Sequence, residues 1–132
     1  MEGPLIYREA TDQDKIAANS VVLATGYFGN VHLDQLQGTH YVAVDGDEIV
    51  GYVWAICDGK HAYLDLLSVA PAYANTGLGL RLLRHFSRYL NSNGVTDVQF
   101  NIHITNNAAL RVASKFGKLS GYYILGHAAT GD

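Results

Sequence analysis

The chain has 132 residues, 48% of them apolar and 16% charged, which is one domain's worth with a core that needs no metal or disulfide staple. Its single cysteine, Cys57, excludes an internal disulfide, and no run approaches the roughly eighteen apolar residues that a membrane span requires. The net charge of −3 is uneven: residues 1–58 carry nine acids against Arg8 and Lys15 (−7), and the remainder three acids against seven bases (+4). The acidic total argues against duplex nucleic acid as a partner. A basic half suits a phosphate-bearing ligand and an acidic half a cationic one, unless the asymmetry is only uneven solvation. The opening MEGPLIYREA lacks the charged start and apolar run of a secretory signal, so a cytoplasmic protein without membrane contact is expected.

In chain order, LIYRE reads as a short strand, and Thr11 and Asp12 stand where a helix cap belongs, before DKIAANSVVLA. GYFGN breaks that run, and HLDQLQ suits a second short helix. HYVAV and IVGYVWAI are β-rich and joined by Asp45-Gly46-Asp47-Glu48, a hairpin signal. AYLDLLSV makes another strand. Leu78, Leu82, Leu83, Phe86 and Leu90 then recur at helical spacing, with Gly94 as the stop. VQFNIHI alternates, with Val98, Phe100 and Ile102 on one face and Gln99, Asn101 and His103 on the other. Residues 107–116 read as a helix closed by Gly117, and GYYILGH as a last strand. The pattern is α/β or α+β, with no linker, repeat or second domain in residues 1–132.

The most informative stretch runs from Ser68 to Gly79, SVAPAYANTGLG. A strand ends, a proline stops its pairing, and a glycine-containing turn opens into a helix whose first turn presents unpaired N–H groups and the positive end of its dipole. An anion such as a phosphate fits there. The dinucleotide fingerprint fails because Leu82 stands where its third glycine belongs, and no Gly-Lys-Ser/Thr follows for a P-loop.

Val69, Pro71, Tyr73, Gly77 and Gly79 fall in register with the pattern V-x-P-x-Y-[RQ]-x-x-G-x-G, which resembles the cofactor motif of the GNAT superfamily of acyl-CoA N-acyltransferases. IYREATDQD resembles that family's opening strand and helix start, DGDEIVGYVW its central hairpin, and residues 106–117 its N-x-x-A-x-x-L-Y-x-K-x-G segment, through Asn106, Ala109, Lys115 and Gly117. The resemblance covers nearly the whole chain. It implies a mixed, mostly antiparallel sheet flanked by helices, with strands splayed at the cofactor site. It also implies acetyl-CoA as acyl donor and an amine acceptor attacking directly in a ternary complex. By the same resemblance, the backbone of Leu67, Ser68 and Val69 pairs with the pantetheine arm. Amides of Asn75, Thr76, Gly77, Leu78, Gly79 and Leu80 hold the pyrophosphate, and Asn106 contacts the cofactor or simply caps a helix. A homodimer is expected by analogy with such folds.

Two departures stand out. Ala74 replaces the motif's Arg or Gln, a contact to a charged group worth about 1.5–3 kcal/mol, for which Asn75, Thr76 or Arg81 would have to compensate. Ala113 replaces the tyrosine that protonates the departing thiolate in many relatives. An acceptor amine, with a pKa of about 10.4, must lose a proton before it attacks. Asp65, the one acid between Asp58 and Asp97 and set within an apolar strand, suits base or amine anchor; the alternative is a carboxylate that ties down a neighbouring strand or helix end. Tyr123 or Tyr122 is the candidate acid, and His103 a lesser proton relay. Tyr27, Phe28, His32 and Tyr123 are candidates to line the acceptor pocket, and the acidic first half favours a cationic amine. The six histidines show no metal-ligand spacing, so no metal is expected. The rival reading is a module that binds CoA or acyl-CoA without transferring anything, which Ala74 and Ala113 favour.

Overall fold

The computed structural model describes residues 4–24, 32–102, 107–116, 118–120 and 124–129. Strand β1 (Ile6–Glu9) leads into helix α1 (Asp12–Ala24). The cap is Thr11: its Oγ1 accepts from the Asp14 N–H at 3.1 Å, and its own N–H donates to Asp14 Oδ2 at 2.8 Å. This reciprocal pair satisfies two amides at the entry to the helix. Asp14 also receives the guanidinium of Arg8, which holds its carboxyl below the usual carboxylate range.

A single 3-10 turn (Leu33–Gln35) replaces the short helix expected at HLDQLQ. Strands β2 (Thr39–Asp45) and β3 (Glu48–Asp58) form the expected hairpin around Gly46 and Asp47, and β4 (His61–Val69) follows. After a second 3-10 turn (Pro71–Tyr73), helix α2 (Leu78–Ser92) leads to β5 (Asp97–Ile102), α3 (Asn107–Phe116), β6 (Lys118–Ser120) and β7 (Ile124–Ala129). The short strand β6 lies outside the sequence expectation.

The seven strands form one sheet in the order β1-β2-β3-β4-β5-β7-β6. All neighbours are antiparallel except β4 and β5, which run parallel. Helices α2 and α3 cover one face, burying Leu78, Leu82, Leu83, Phe86, Ala109 and Ala113 against Tyr41, Val53, Leu64, Leu67 and Phe100. Helix α1 and the first 3-10 turn cover the other, where Ala18, Val22 and Leu33 meet Val42, Val44, Tyr52 and Leu66. Under that second cover His40 is buried, with Nε2 2.9 Å from the Leu36 carbonyl and Nδ1 2.7 Å from the Tyr52 hydroxyl. A carbonyl only accepts, so Nε2 carries the proton and the tyrosine donates to Nδ1.

Candidate active site

The parallel pair β4/β5 is short. Pairing runs from His61–Asp97 to Leu64–Phe100 and then stops, although β4 continues to Val69 and β5 to Ile102. On its other edge β4 stays paired with β3 as far as Val69. Beyond Leu64 the two strands therefore part, and the β5-facing edge of β4 from Asp65 to Val69 has no strand partner among the described residues.

The sheet is also irregular at this point. Trp54 pairs with Leu66 and Ala55 with Leu64, which leaves Asp65 as an extra residue in β4, a β-bulge. Ala62 and Leu64 face α2 before the bulge, and Leu67 and Val69 face it afterwards. Leu66 faces α1 instead. Asp65 continues the row of His61 and Tyr63 on that same α1 side, so two successive side chains point to one face. Opposite them β5 presents Asp97, Gln99 and Asn101, which alternate with the core residues Val98 and Phe100. His61 Nδ1 meets Asp97 Oδ2 at 2.7 Å where the pair begins. At the parting, Asn101 Nδ2 donates to Asp65 Oδ1 at 2.6 Å, and Gln99 Nε2 donates to Asn101 Oδ1 at 3.2 Å. Asp65 is half-buried.

Past Val69 the chain is clamped to the β2–β3 hairpin. The Ala70 N–H donates to the Val50 carbonyl at 2.8 Å, and the Tyr73 hydroxyl donates to the Asp45 carboxylate. Thr76 Oγ1 donates back to the Tyr73 carbonyl at 2.5 Å. Asn75 and Gly77 both adopt left-handed backbone, φ 61° and 83°, which turns the chain into α2; at Gly77 a glycine carries this without strain. Gly77 is the N-cap and offers no side chain, and the first intrahelical bond is Arg81 N–H to its carbonyl at 3.1 Å. The N–H groups of Leu78, Gly79 and Leu80 are the uncapped donors of the first turn. Arg81 folds back over this turn, with Nη1 on the Thr76 carbonyl at 3.2 Å and Nε on the Tyr7 hydroxyl at 3.3 Å. Gly79 has a packing role that the sequence reading missed. A Cβ there would lie 3.0 Å from Val112 Cγ2, so α2 and α3 touch at this residue.

The fold thus brings Asp65, Leu67, Ser68, Val69 and residues 75–80 to one end of β4 and the turn that follows. Ser68 is buried, and its Oγ has no hydrogen-bond partner among the described residues. Ala74 is exposed beside the turn and Ala113 is fully buried. His32 is exposed just before the first 3-10 turn. Asn106, Tyr122, Tyr123, His103, Tyr27 and Phe28 lie outside the described residues. Sequence reasoning missed Gln99 and Asn101 as site residues, although their alternation had already put them on the polar face of β5. Among the described residues no three His, Cys, Asp or Glu side chains are grouped to hold a metal ion, and no helix is long and apolar enough to cross a membrane.

The family model described as the Acetyltransferase (GNAT) family matches residues 7–118. The chain belongs to the GNAT acetyltransferase family. No curated protein matches it in sequence. Among solved structures, this GNAT domain is similar to the ribosomal-protein-S18-alanine N-acetyltransferase of Escherichia coli, with TM-score 0.82 and 18% identity over 98% of this chain and 96% of that one. It is similar to the PaiA N-acetyltransferase of Thermoplasma acidophilum in complex with coenzyme A, with TM-score 0.78 and 13% identity over 96% and 99%. A third is the diaminobutyrate acetyltransferase EctA of Paenibacillus lautus in complex with L-2,4-diaminobutyric acid and coenzyme A, with TM-score 0.76 and 14% identity over 96% and 95%. At these identities the likeness is one of fold: a mixed, open sheet flanked by helices.

Proposed function

We propose that this GNAT domain is an acetyl-CoA-dependent N-acetyltransferase that acylates a primary amine of a small molecule or peptide by direct attack in a ternary complex. One observation carries the reading: the β4 edge from Asp65 to Val69, which no described strand pairs on the β5 side, leads towards a helix whose N-cap Gly77 supplies no side-chain cap. An extended, amide-bearing arm such as pantetheine fits the edge as an added strand beside Leu67, Ser68 and Val69. A pyrophosphate fits the amides of residues 75–80 and the positive end of the α2 dipole. Ala74 gives no charge to that anion, and Arg81, held over the Thr76 carbonyl, supplies positive charge at the same turn.

Acetyl-CoA supplies a thioester-activated acetyl group, whose C–S bond breaks as the new C–N bond forms, with CoA leaving as thiolate. Asp65 accepts the proton that the acceptor ammonium must lose, or holds that ammonium while water takes it. Tyr123 is assigned the proton for the leaving sulfur. The carboxylates of this face, and of the first half of the chain, favour a cationic acceptor. Two of the neighbours named above are an S18-alanine N-acetyltransferase and an acetyltransferase of L-2,4-diaminobutyric acid, so amines of both kinds belong in the test.

The first experiment is calorimetric titration with acetyl-CoA and, separately, CoA. The panel that follows is spermidine, L-2,4-diaminobutyrate and a peptide beginning with alanine, with CoA release as readout. Micromolar acetyl-CoA binding with turnover of one of these amines, lost in Asp65→Asn, supports the proposal. No binding at millimolar acetyl-CoA overturns it. The exposed Ala74 and the buried, hydroxyl-free Ala113 favour a second reading, a module that binds acyl-CoA without transfer. Tight binding with no turnover across the panel is the result that reading expects.

A further inference from the structure

We propose that Asn101 is a positioning residue for Asp65, an inference that rests on the reading of Asp65 as base or amine anchor given above. Backbone pairing between β4 and β5 ends at Leu64 and Phe100, so Asp65 is the first residue of β4 with no paired residue on β5. Asp65 is moreover the extra residue of a bulge, the position in a strand whose direction is least determined by the ladder. A side chain constrains the carboxylate at this point. Asn101, on the far side of the parting, donates from Nδ2 to Asp65 Oδ1 at 2.6 Å.

The amide of Asn101 is itself oriented. Its Oδ1 accepts from Gln99 Nε2 at 3.2 Å, which leaves the nitrogen to face Asp65. Hydrogen bonding therefore runs one way along β5 and across to β4, from Gln99 through Asn101 to the carboxylate. A neutral amide suits this task. It engages one carboxylate oxygen and adds no charge that would neutralise the group, so Oδ2 remains for the acceptor ammonium. A lysine or arginine in its place would compete with that ammonium for the same carboxylate. The bond that spans the parting thus holds the proposed base at the point where residue pairing with β5 has ended.

The test is a double-mutant cycle on turnover, using whichever of spermidine, L-2,4-diaminobutyrate and the alanine-initiated peptide gives the highest kcat/KM. N101D is isosteric and removes the donor; N101A removes the whole group. Each is expected to lower kcat about 10- to 100-fold, the scale on which small misplacements of reacting groups act. The calorimetric Kd for acetyl-CoA is expected to stay within about twofold, since a misdirected carboxylate leaves differential rather than uniform binding affected. In the Asp65→Asn background, N101A is expected to cost nothing further. A second readout needs no turnover: the Asn101 side-chain amide resonances of 15N-labelled protein, identified by their loss in N101D, are expected to move in Asp65→Asn.

Several results overturn the inference. If Asp65→Asn inactivates the enzyme but N101A and N101D keep wild-type kcat, the positioning role fails and the base reading stands. If N101A lowers kcat equally in both backgrounds, or weakens acetyl-CoA binding in proportion, Asn101 is a structural clamp across the parting. If Asp65→Asn keeps wild-type turnover, or no amine of the panel is acetylated, the reading of Asp65 falls and the positioning role falls with it.

Discussion

Replacing Tyr52 by phenylalanine removes one oxygen atom from beneath α1 and leaves the ring in place. Tyr52 is fully buried, and its hydroxyl donates to Nδ1 of His40, which is itself 2% exposed. The other imidazole nitrogen is committed to the Leu36 carbonyl. In Tyr52→Phe the Nδ1 lone pair faces a phenyl edge, and an unsatisfied buried acceptor costs about 1–3 kcal/mol. With about 2.1 cal/mol/K of unfolding entropy per residue near the midpoint, a chain of this length loses roughly 3.5 °C of Tm per kcal/mol. The expected fall is therefore about 4–11 °C. Differential scanning calorimetry at pH 8 is the assay, because His40 is then neutral whether the chain is folded or not. A Tm within about 1 °C of wild type would refute the argument, since the hydroxyl would then carry no part of the imidazole's satisfaction.

Three further outcomes follow from other contacts. Burial, with Lys15 nearby, lowers the proton affinity of His40 below the ordinary value of 6.5, so the unfolded chain takes up the proton first. The stability that neutral His40 contributes is complete above that value and is lost as pH falls towards the folded pKa; His85 shifts the same way. Tm is expected to fall between pH 7 and pH 5 even in a His85→Gln background, and a flat profile there would contradict the burial argument. Tyr73→Phe unhooks the turn before α2, the proposed pyrophosphate site, from Asp45 and is expected to raise the acetyl-CoA Kd about five- to tenfold, by calorimetry, with little change in Tm. Gly79→Val overpacks the contact with Val112 and is expected to cost about 1–3 kcal/mol in urea denaturation. Adding Val112→Ala should bring a smaller total loss than the two single losses combined.

The order of strands and helices was legible because each element carries a local signal. The Thr11 cap, the Asp45–Glu48 turn and the leucine spacing of α2 all act within a few residues. Residues 107–116 form α3 as the sequence predicts, whereas three-residue β6 exists only because β7 lies beside it. Asp65 is legible as a lone acid in an apolar strand, but its bulge is not. The signal was present as a change of parity, from Ala62 and Leu64 to Leu67 and Val69, and the apolar pair Leu66-Leu67 conceals it. Asn101 was legible as polar, yet its meeting with Asp65 depends on the β4/β5 register, which no local pattern states. The resemblance implies that the Gly79 amide holds a phosphate. Its contact with Val112 comes from a residue on another helix, so neighbouring letters do not reveal it.

The bulge gives the candidate site an unusual relation to the regularity of the sheet. Deleting a single residue at position 65 would restore strict alternation along β4, so that inward and outward positions kept one reading frame from His61 onward. Such a strand has the more ordinary ladder, and it carries no carboxylate at the parting. The chemistry proposed for this chain thus occupies a frameshift in the β4 pattern, and substitutions selected only for a more uniform sheet would be expected to erase it.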